Sequence, residues 1–203
     1  MTRGRLAPLT ALVTAGVLLV ASFVLIAAGP DRDWSGPWGH WRSDSGSAVA
    51  DLDGAERAAA AFAADLGLVV GEVMEFENGF YAVLTEPSGT PATEVLVDPA
   101  RGSAWIERGP AMRWNTEYGS HMAAWADPAA SDPDGAAALA DQWLAAERPG
   151  ERAAEVTAFP GYCTVIAEDG TGTPTRLISV RDGTGEVWPH SWLGGFVART
   201  GTD

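Results

Sequence analysis

The chain has a single cysteine, and this scarcity excludes two ways of stabilising a small exported domain. Cys163 has no second thiol with which to form a disulfide, and a thiolate metal cluster needs several cysteines. We therefore expect stability to come from packing of apolar side chains, which make up 46% of the sequence and include nine tryptophans. This apolar content also excludes a wholly disordered chain.

Basic residues are also few, at 13 against 27 acidic ones, so the net charge is −14. A strongly acidic surface repels phosphate backbones. The composition therefore predicts that nucleic acid is not a partner.

Recognisable catalytic motifs are missing as well. The chain has three histidines and no G-x-S-x-G sequence or comparable frame for an activated nucleophile. Glu75 and Glu77 lie on one face of a predicted strand, where a solvated edge explains them. We predict a protein that is not an enzyme, with no catalytic residue and no cofactor.

One long uncharged apolar block lies near the start, from Leu6 to Ala28. About 20 apolar residues suffice to cross a hydrocarbon core of ~30 Å. Arg3 and Arg5 precede the block, so the positive-inside rule predicts a cytoplasmic N-terminus and an extracytoplasmic remainder, anchored in the cell membrane by residues 6–28. The alternative is a secretory signal that is cleaved from the mature protein, although Pro30 disfavours cleavage at the end of the block.

The first folded unit is predicted to begin with a helix. Apolar residues recur at helical spacing at Leu52, Ala55, Ala59, Phe62 and Leu66. Asp53 followed by Glu56 offers a capping box at the start, and Gly67 offers a stop.

Four short strands are predicted after this helix. Two of them flank Asn78-Gly79, a signal for a two-residue hairpin turn in which both central residues have positive φ. TEVLVD forms the third strand, Pro99 to Gly102 the next turn, and SAWIE the fourth strand. Asp98 is expected to accept backbone N–H bonds in that turn.

The second half repeats this plan. Asp132-Pro133 offers a helix start and Pro149-Gly150 a stop. The apolar face of this helix comprises Leu139, Ala140, Trp143 and Leu144, and its strands read EVTAF, YCTVIAE, TRLISVR and EVWP. Without gaps, VLVDPARGSAW matches ISVRDGTGEVW, which aligns Gly102 with Gly185 and Trp105 with Trp188.

The predicted fold class is therefore α+β: two repeats, each one helix packed on a four-stranded antiparallel sheet, preceded by one transmembrane helix. We divide the chain into an N-terminal anchor (1–30), a flexible spacer rich in Trp, Gly and Ser (31–51), a first repeat (52–108), an inter-repeat strap (109–131), a second repeat (132–192) and a C-terminal tail (193–203).

The strap begins with GPAMRWNTEYGSHM, which has neither a helical nor a strand period. The simplest interpretation is that this segment crosses from one sheet to the other. Met112, Trp114 and Tyr118 would then close the interface between the two sheets, which we call the seam. Clefts between domains are favoured binding sites, so the groove beside the strap is the predicted partner site, with Trp114, Asn115 and Tyr118 as its candidate residues.

A metal site is the competing hypothesis for the same segment. Met112, His121 and Met122 combine thioether and imidazole ligands, a set that favours Cu(I) over harder ions. The alternative function is therefore that of a copper-binding sensor or carrier.

Several of these motifs together resemble a known family. The helix and meander ending in V-x-D-x-x-x-G-x-x-W resembles the PepSY domain, and MEFENGFYAVL, GPAMRWNTEYG, GYCTV and GEVWPHSW look like landmarks of a membrane-anchored prokaryotic family with two PepSY-like repeats. Cys163 and Arg181 depart from that pattern, where an aromatic residue and an aspartate are expected. The resemblance implies a non-enzymatic binding or regulatory module for a peptide or protein partner outside the membrane, with a peptidase as one candidate, and it supplies no catalytic residue.

Overall fold

The computed structural model describes the backbone of residues 42–43 and the whole of residues 47–120 and 131–200. The predicted anchor at 6–28 lies outside the described residues, as does most of the predicted spacer. Within the described residues, every helix is too short or too polar to span a bilayer.

The described residues form two antiparallel sheets, of which the first has six strands. Four consecutive strands form its centre: β2 (Val69–Phe76), β3 (Gly79–Thr85), β4 (Pro91–Val97) and β5 (Ala104–Ile106). Two short strands extend it, since β1 (Arg42–Ser43) pairs with β5 and β10 (Phe196–Arg199) pairs with β2. The prediction of four strands was wrong for this sheet, because β1 and β10 come from segments without a strand pattern and form only through pairing with distant strands.

The second sheet has the predicted four-stranded meander. Its strands are β6 (Arg152–Phe159), β7 (Tyr162–Glu168), β8 (Pro174–Arg181) and β9 (Val187–Pro189), in that spatial order. The α+β class with two antiparallel sheets is confirmed.

Helix α1 (Leu52–Asp65) covers one face of the first sheet and buries Ala55, Ala59 and Phe62. Its N-cap is Asp51, whose Oδ1 accepts from the Gly54 N–H at 2.8 Å. The predicted capping box at Asp53 was wrong, because the extended backbone that a cap requires occurs at Asp51, whereas Asp53 is already helical.

The second sheet is covered by helix α3 (Pro133–Glu147), which follows the one-turn helix α2 (Pro110–Arg113). As predicted, α3 starts at Asp132 with proline at the first helical position, and Asp132 accepts from the Gly135 N–H at 2.9 Å. Its buried face against the second sheet includes Ala140 and Leu144.

The β2–β3 turn differs from the prediction by one residue. Its central residues are Glu77 and Asn78, while Gly79 already pairs with Phe76. Neither central residue has positive φ. The N–H groups of Glu77 and Asn78 donate instead to carbonyl oxygens near the C-terminus, those of Gly195 at 2.9 Å and Leu193 at 3.1 Å, so a tertiary contact selects this turn.

The turns between the last two strands of each sheet have matching geometry. The Gly102 N–H donates to Asp98 O at 2.8 Å, and the Gly185 N–H donates to Arg181 O at 3.0 Å. Both glycines have left-handed φ, at 61° and 69°. Asp98 also accepts the Ala100 N–H at 2.8 Å, as predicted. These observations support the repeat alignment made from the sequence.

The two sheets pack face to face, on the sides opposite their helices. One core cluster contains Tyr81 and Leu96 from the first sheet together with Tyr162, Ile166 and Leu177 from the second. The layers therefore run helix, sheet, sheet, helix. The tryptophans aligned in the sequence both project towards this interface, because Trp105 pairs with Leu96 and Trp188 pairs with Ser179, and directly paired residues share a face.

Candidate functional site

The described part of the strap, residues 109–120, is bound to the first sheet through Asn115. This residue is fully buried, and its Nδ2 donates to the Ala92 carbonyl oxygen at 2.8 Å. Its Oδ1 accepts from the N–H groups of Glu117 and Tyr118 at 3.1 and 2.8 Å. Asn115 therefore uses its amide to shape the strap and to attach it to β4.

The strap is bound to the second sheet through Trp114. Its ring lies edge-on to Tyr162, with centroids 6.4 Å apart, and edge-on to Trp188 at 6.0 Å. The Thr116 N–H donates to Pro160 O at 3.0 Å, and the Arg113 guanidinium lies 5.4 Å from the Trp188 ring. The strap thus contacts both sheets and closes the seam between them.

The predicted partner-groove residues differ in their exposure. Trp114 and Asn115 are buried, so a partner cannot contact their side chains in this conformation. Tyr118 is half-buried, and its hydroxyl donates to Glu86 Oε1 at 3.0 Å. Of the three candidates, Tyr118 has side-chain surface available to a partner.

The predicted metal candidates are not brought together within the described residues. Met112 is half-buried and packs against the apolar core, whereas His121 and Met122 lie outside the described residues. Across residues 47–120 and 131–200, no three His, Cys, Asp or Glu side chains are grouped so that they could hold a metal ion. The copper hypothesis stays a prediction.

Sequence reasoning missed a buried polar chain that crosses the seam, which we call the inter-sheet chain: Tyr81, Glu94, Thr164, Ser179 and His190. Tyr81 and Thr164 both donate to Glu94 Oε1, the latter at 2.5 Å. Thr164 Oγ1 lies 2.7 Å from Ser179 Oγ, which lies 2.9 Å from His190 Nε2. The signal in the sequence is a polar residue within a largely apolar strand, such as Glu94 in TEVLV and Ser179 in LISV.

An ionised Glu94 would give this chain one direction. Because a carboxylate only accepts, Thr164 donates to Glu94, Ser179 donates to Thr164, and His190 donates from Nε2–H to Ser179. The other ring nitrogen, His190 Nδ1, is then an acceptor, and it is buried without a hydrogen-bond partner in the described part of the chain.

Burial shifts the pKa values of Glu94, Glu107 and His190, among other groups at the seam. Desolvation raises the pKa of Glu94 to about 7, against the hydrogen bonds from Thr164 and Tyr81 that lower it. Desolvation also raises the pKa of Glu107 to about 7, although Glu107 accepts from the Gly109 and Ala111 N–H groups at 2.6 and 3.2 Å. The pKa of His190 is lowered to about 3 by burial, so its imidazole is neutral near pH 7.

Ser179 and His190 have the spacing of a nucleophile and its base, but both are buried. The serine hydroxyl faces Thr164 and the sheet interface, where a substrate cannot reach it. The arrangement suits hydrogen bonding that holds two sheets in register.

No family model and no curated protein match this chain. Among solved structures, the chain is similar to the Bacillus megaterium YpeB C-terminal domain, with 12% identity and a TM-score of 0.27. The similarity covers 70% of this chain and 63% of that one, so the chain spans less than two thirds of the matched structure. At this TM-score the similarity carries no argument, and the fold class stands on the helices and sheets described above.

Proposed function

We propose that this chain is a non-enzymatic binding or regulatory module, and that it engages an extended segment of a peptide or protein partner. The observation that carries this proposal is β6, an eight-residue strand at the edge of the second sheet. A long open edge presents unpaired N–H and C=O groups, to which another chain can pair as an added strand.

The other sheet edges are poorer templates. β1 has two residues, β9 has three and ends in Pro189, and β10 has four with a register irregularity. Short strands, proline and bulges are features that protect edges from pairing. β6 contains no proline and is longer than the other three. Its own register irregularity lies between Ala153 and Glu155, where the Ala153 N–H donates to Asp141 Oδ1 at 2.6 Å, and the stretch from Val156 to Phe159 is regular.

The free backbone groups of β6 can be assigned from its hairpin. Phe159 and Tyr162 close a two-residue loop, so this pair exchanges both backbone hydrogen bonds. By alternation, Thr157 also points its backbone groups to β7, whereas Val156 and Ala158 point theirs away from the sheet. In the described part of the chain, these outward groups have no backbone partner.

We further propose that the module is a pair of PepSY-like repeats, held outside the cell membrane by an anchor at residues 6–28. The matching turns and the repeated helix and meander support the first point, and the uncharged block after Arg3 and Arg5 supports the second. A peptidase is one candidate partner, on the basis of the family resemblance.

The test begins with photo-crosslinking in native membranes, using p-benzoyl-phenylalanine in place of the exposed Arg152 at the start of β6. The crosslinked segment is identified by mass spectrometry, synthesised, and titrated into purified full-length protein. Ala158→Pro removes one outward N–H without removing a hydrogen bond to β7. We expect it to weaken peptide binding about ten-fold, the effect of a lost main-chain hydrogen bond and displaced neighbours.

The matched control is Val187→Pro, which places proline at an outward position of the other edge strand, β9. We expect it to leave the dissociation constant unchanged, and far-ultraviolet circular dichroism checks that both variants fold. Equal binding by wild type and Ala158→Pro would exclude pairing at β6.

A further inference from the structure

Helix α3 lies alongside the open edge of β6 and runs in the opposite direction. Near its start, Ser131 Oγ lies 3.2 Å from the sulfur of Cys163, which pairs with Ala158 near the end of β6. Further along the helix, Asp141 Oδ1 accepts from the Ala153 N–H near the start of β6. One flank of α3 therefore faces the place that a strand added to β6 would take.

This flank of α3 presents two carboxylates. Asp134 lies about two turns before Asp141, so both side chains project from one side of the helix, about 10 Å apart along its axis. Both residues are exposed, and neither forms an ion pair with the described residues. Helix α3 contains no basic residue that could neutralise them.

The side chains of Val156 and Ala158 show which residues of an added strand would meet this flank. Both pack against the core cluster under α3 that contains Cys163. Residues paired across two strands share a face, so the partner residues opposite Val156 and Ala158 also project to the α3 side. The other face of β6 is less selective for charge, because Glu155 already accepts from Arg199 at 2.9 Å.

We propose that the segment which pairs with β6 is basic, with lysine or arginine at the two alternate positions that lie beside Asp134 and Asp141. This inference rests on the proposed function, because it names the chemistry of the strand added at β6. The backbone groups of β6 accept any extended sequence, whereas the carboxylates of α3 select positive charge on one face of that sequence. Attraction to a chain of net charge −14 also favours the encounter.

A second copy of this chain fits the same edge less well. Pairing of β6 with β6 of another copy would bring Asp134 and Asp141 of both copies to one face of the joined sheet, without a basic residue on either α3. Like charges gathered in this way oppose association. The charge distribution therefore favours a basic segment of a different protein.

The test uses full-length protein in detergent micelles and three acetylated and amidated peptides: the basic TVKVKVT, the neutral TVQVQVT and the acidic TVEVEVT. Calorimetry measures the dissociation constant of each. We expect the basic peptide to bind about five-fold more tightly than the neutral one, the effect of two exposed ion pairs, and the acidic peptide to bind more weakly than both. The segment identified by crosslinking at β6 should carry basic residues at alternate positions.

Asp134→Asn combined with Asp141→Asn should abolish this preference and leave binding of the neutral peptide unchanged. The hydrogen bond from Ala153 is retained, because an amide oxygen also accepts. The matched control combines Asp53→Asn with Asp65→Asn, which removes the same charge from two exposed positions on α1 and should keep the preference. Thermal unfolding checks that both double variants retain the fold.

Three results would overturn the inference: no saturable binding of the basic peptide, equal binding of the basic and neutral peptides, or loss of the preference in the α1 control, which would indicate attraction to the overall charge.

Ala158→Pro distinguishes failure of this inference from failure of the proposed function. It should weaken binding of the basic and neutral peptides alike, because both need the outward N–H of β6. Equal binding of these two peptides, weakened in Ala158→Pro, would keep pairing at β6 and exclude selection by charge. Tight binding of the basic peptide that Ala158→Pro leaves unchanged would contradict both.

Discussion

Gly161, in the turn between β6 and β7, shows how one residue connects the strap to the second sheet. Its φ is +92°, and an added Cβ would lie 2.4 Å from the Trp114 carbonyl oxygen. Only glycine lets the strap approach the turn this closely. The strap position therefore depends on a missing side chain as well as on the ring contacts of Trp114.

We predict that Gly161→Ala destabilises the protein much more than Gly172→Ala. Gly172 also has left-handed φ, at +84°, but an added Cβ there has nothing within 4 Å. The backbone conformation alone should cost about 1 kcal/mol at Gly172. The clash with Trp114 should raise the cost at Gly161 to about 3 kcal/mol or more. Urea unfolding measures the free energy of unfolding of both variants. Equal losses of stability would show that the strap can move away from residue 161 at no cost.

Glu94 shows why the identity of a single residue does not predict whether it is buried or which groups it bonds. Glutamate in a strand usually faces solvent, and the apolar residues that follow Glu94 do not show which groups it would pair with. Its donor Tyr81 reaches it from the adjacent strand β3, and its donor Thr164 meets it only when the sheets stack. The inter-sheet chain could not be predicted for this reason.

At the scale of elements, the strap behaves as a structural part of the seam. Asn115 bonds three backbone groups, and two aromatic contacts of Trp114 complete the closure. These contacts attach residues 109–120, the described part of the strap predicted at 109–131, to both sheets. The same contacts bury two of the residues considered for partner binding.

Asn115→Ala should loosen this element locally. The substitution leaves the Ala92 carbonyl oxygen and the N–H groups of Glu117 and Tyr118 without their partner, at a cost of about 2 kcal/mol. Hydrogen exchange should accelerate at Glu117 and Tyr118.

Ser88→Ala, in an exposed loop, is the control for Asn115→Ala and should change stability by less than about 0.5 kcal/mol. Unchanged exchange at Glu117 and Tyr118 in the Asn115 variant would contradict the role assigned to that amide.

Helices and central strands were the elements most accessible from the sequence. Asp132 and Pro133 start α3 through local backbone chemistry, and the alternating steps of α1 follow its buried face. β1 and β10 were missed because each is too short to have a pattern and is stabilised by a distant partner strand. The β2–β3 turn was displaced because Gly195 and Leu193 accept its N–H groups.

At the scale of the whole molecule, the two buried carboxyls at the seam make stability depend on pH. The folded pKa values of Glu94 and Glu107 are raised to about 7, above the ordinary 4.5. Between these values the folded state holds protons that the unfolded state has lost, so the free energy of unfolding falls as pH rises. His190, with a folded pKa of about 3, acts oppositely and lowers stability as pH falls below 6.5.

We therefore predict that the protein is more stable at pH 5 than at pH 8. Each carboxyl contributes at most about 3 kcal/mol to the difference, and the neutral histidine offsets part of it. Glu94→Gln keeps the shape of the side chain and removes its titration. Because His190 already offsets part of the net difference between the two pH values, losing one carboxyl should shrink that difference by well over half. Urea unfolding at both pH values is the measurement.

Glu117→Gln, at an exposed carboxyl, is the control and should leave the pH difference unchanged. If the protein is equally stable at pH 5 and pH 8, or more stable at pH 8, the seam carboxyls do not have the environment described here.

The sequence by itself determined the two longer helices, the central strands and the matching turns at Gly102 and Gly185, because periodicity, capping and turn chemistry act between residues a few positions apart. Tertiary structure alone decided that the two sheets stack face to face, that short terminal strands extend the first sheet, and that Glu94 and His190 join one buried chain. These features depend on contacts between residues far apart in the sequence, such as Thr164 with Glu94 and Gly195 with Glu77.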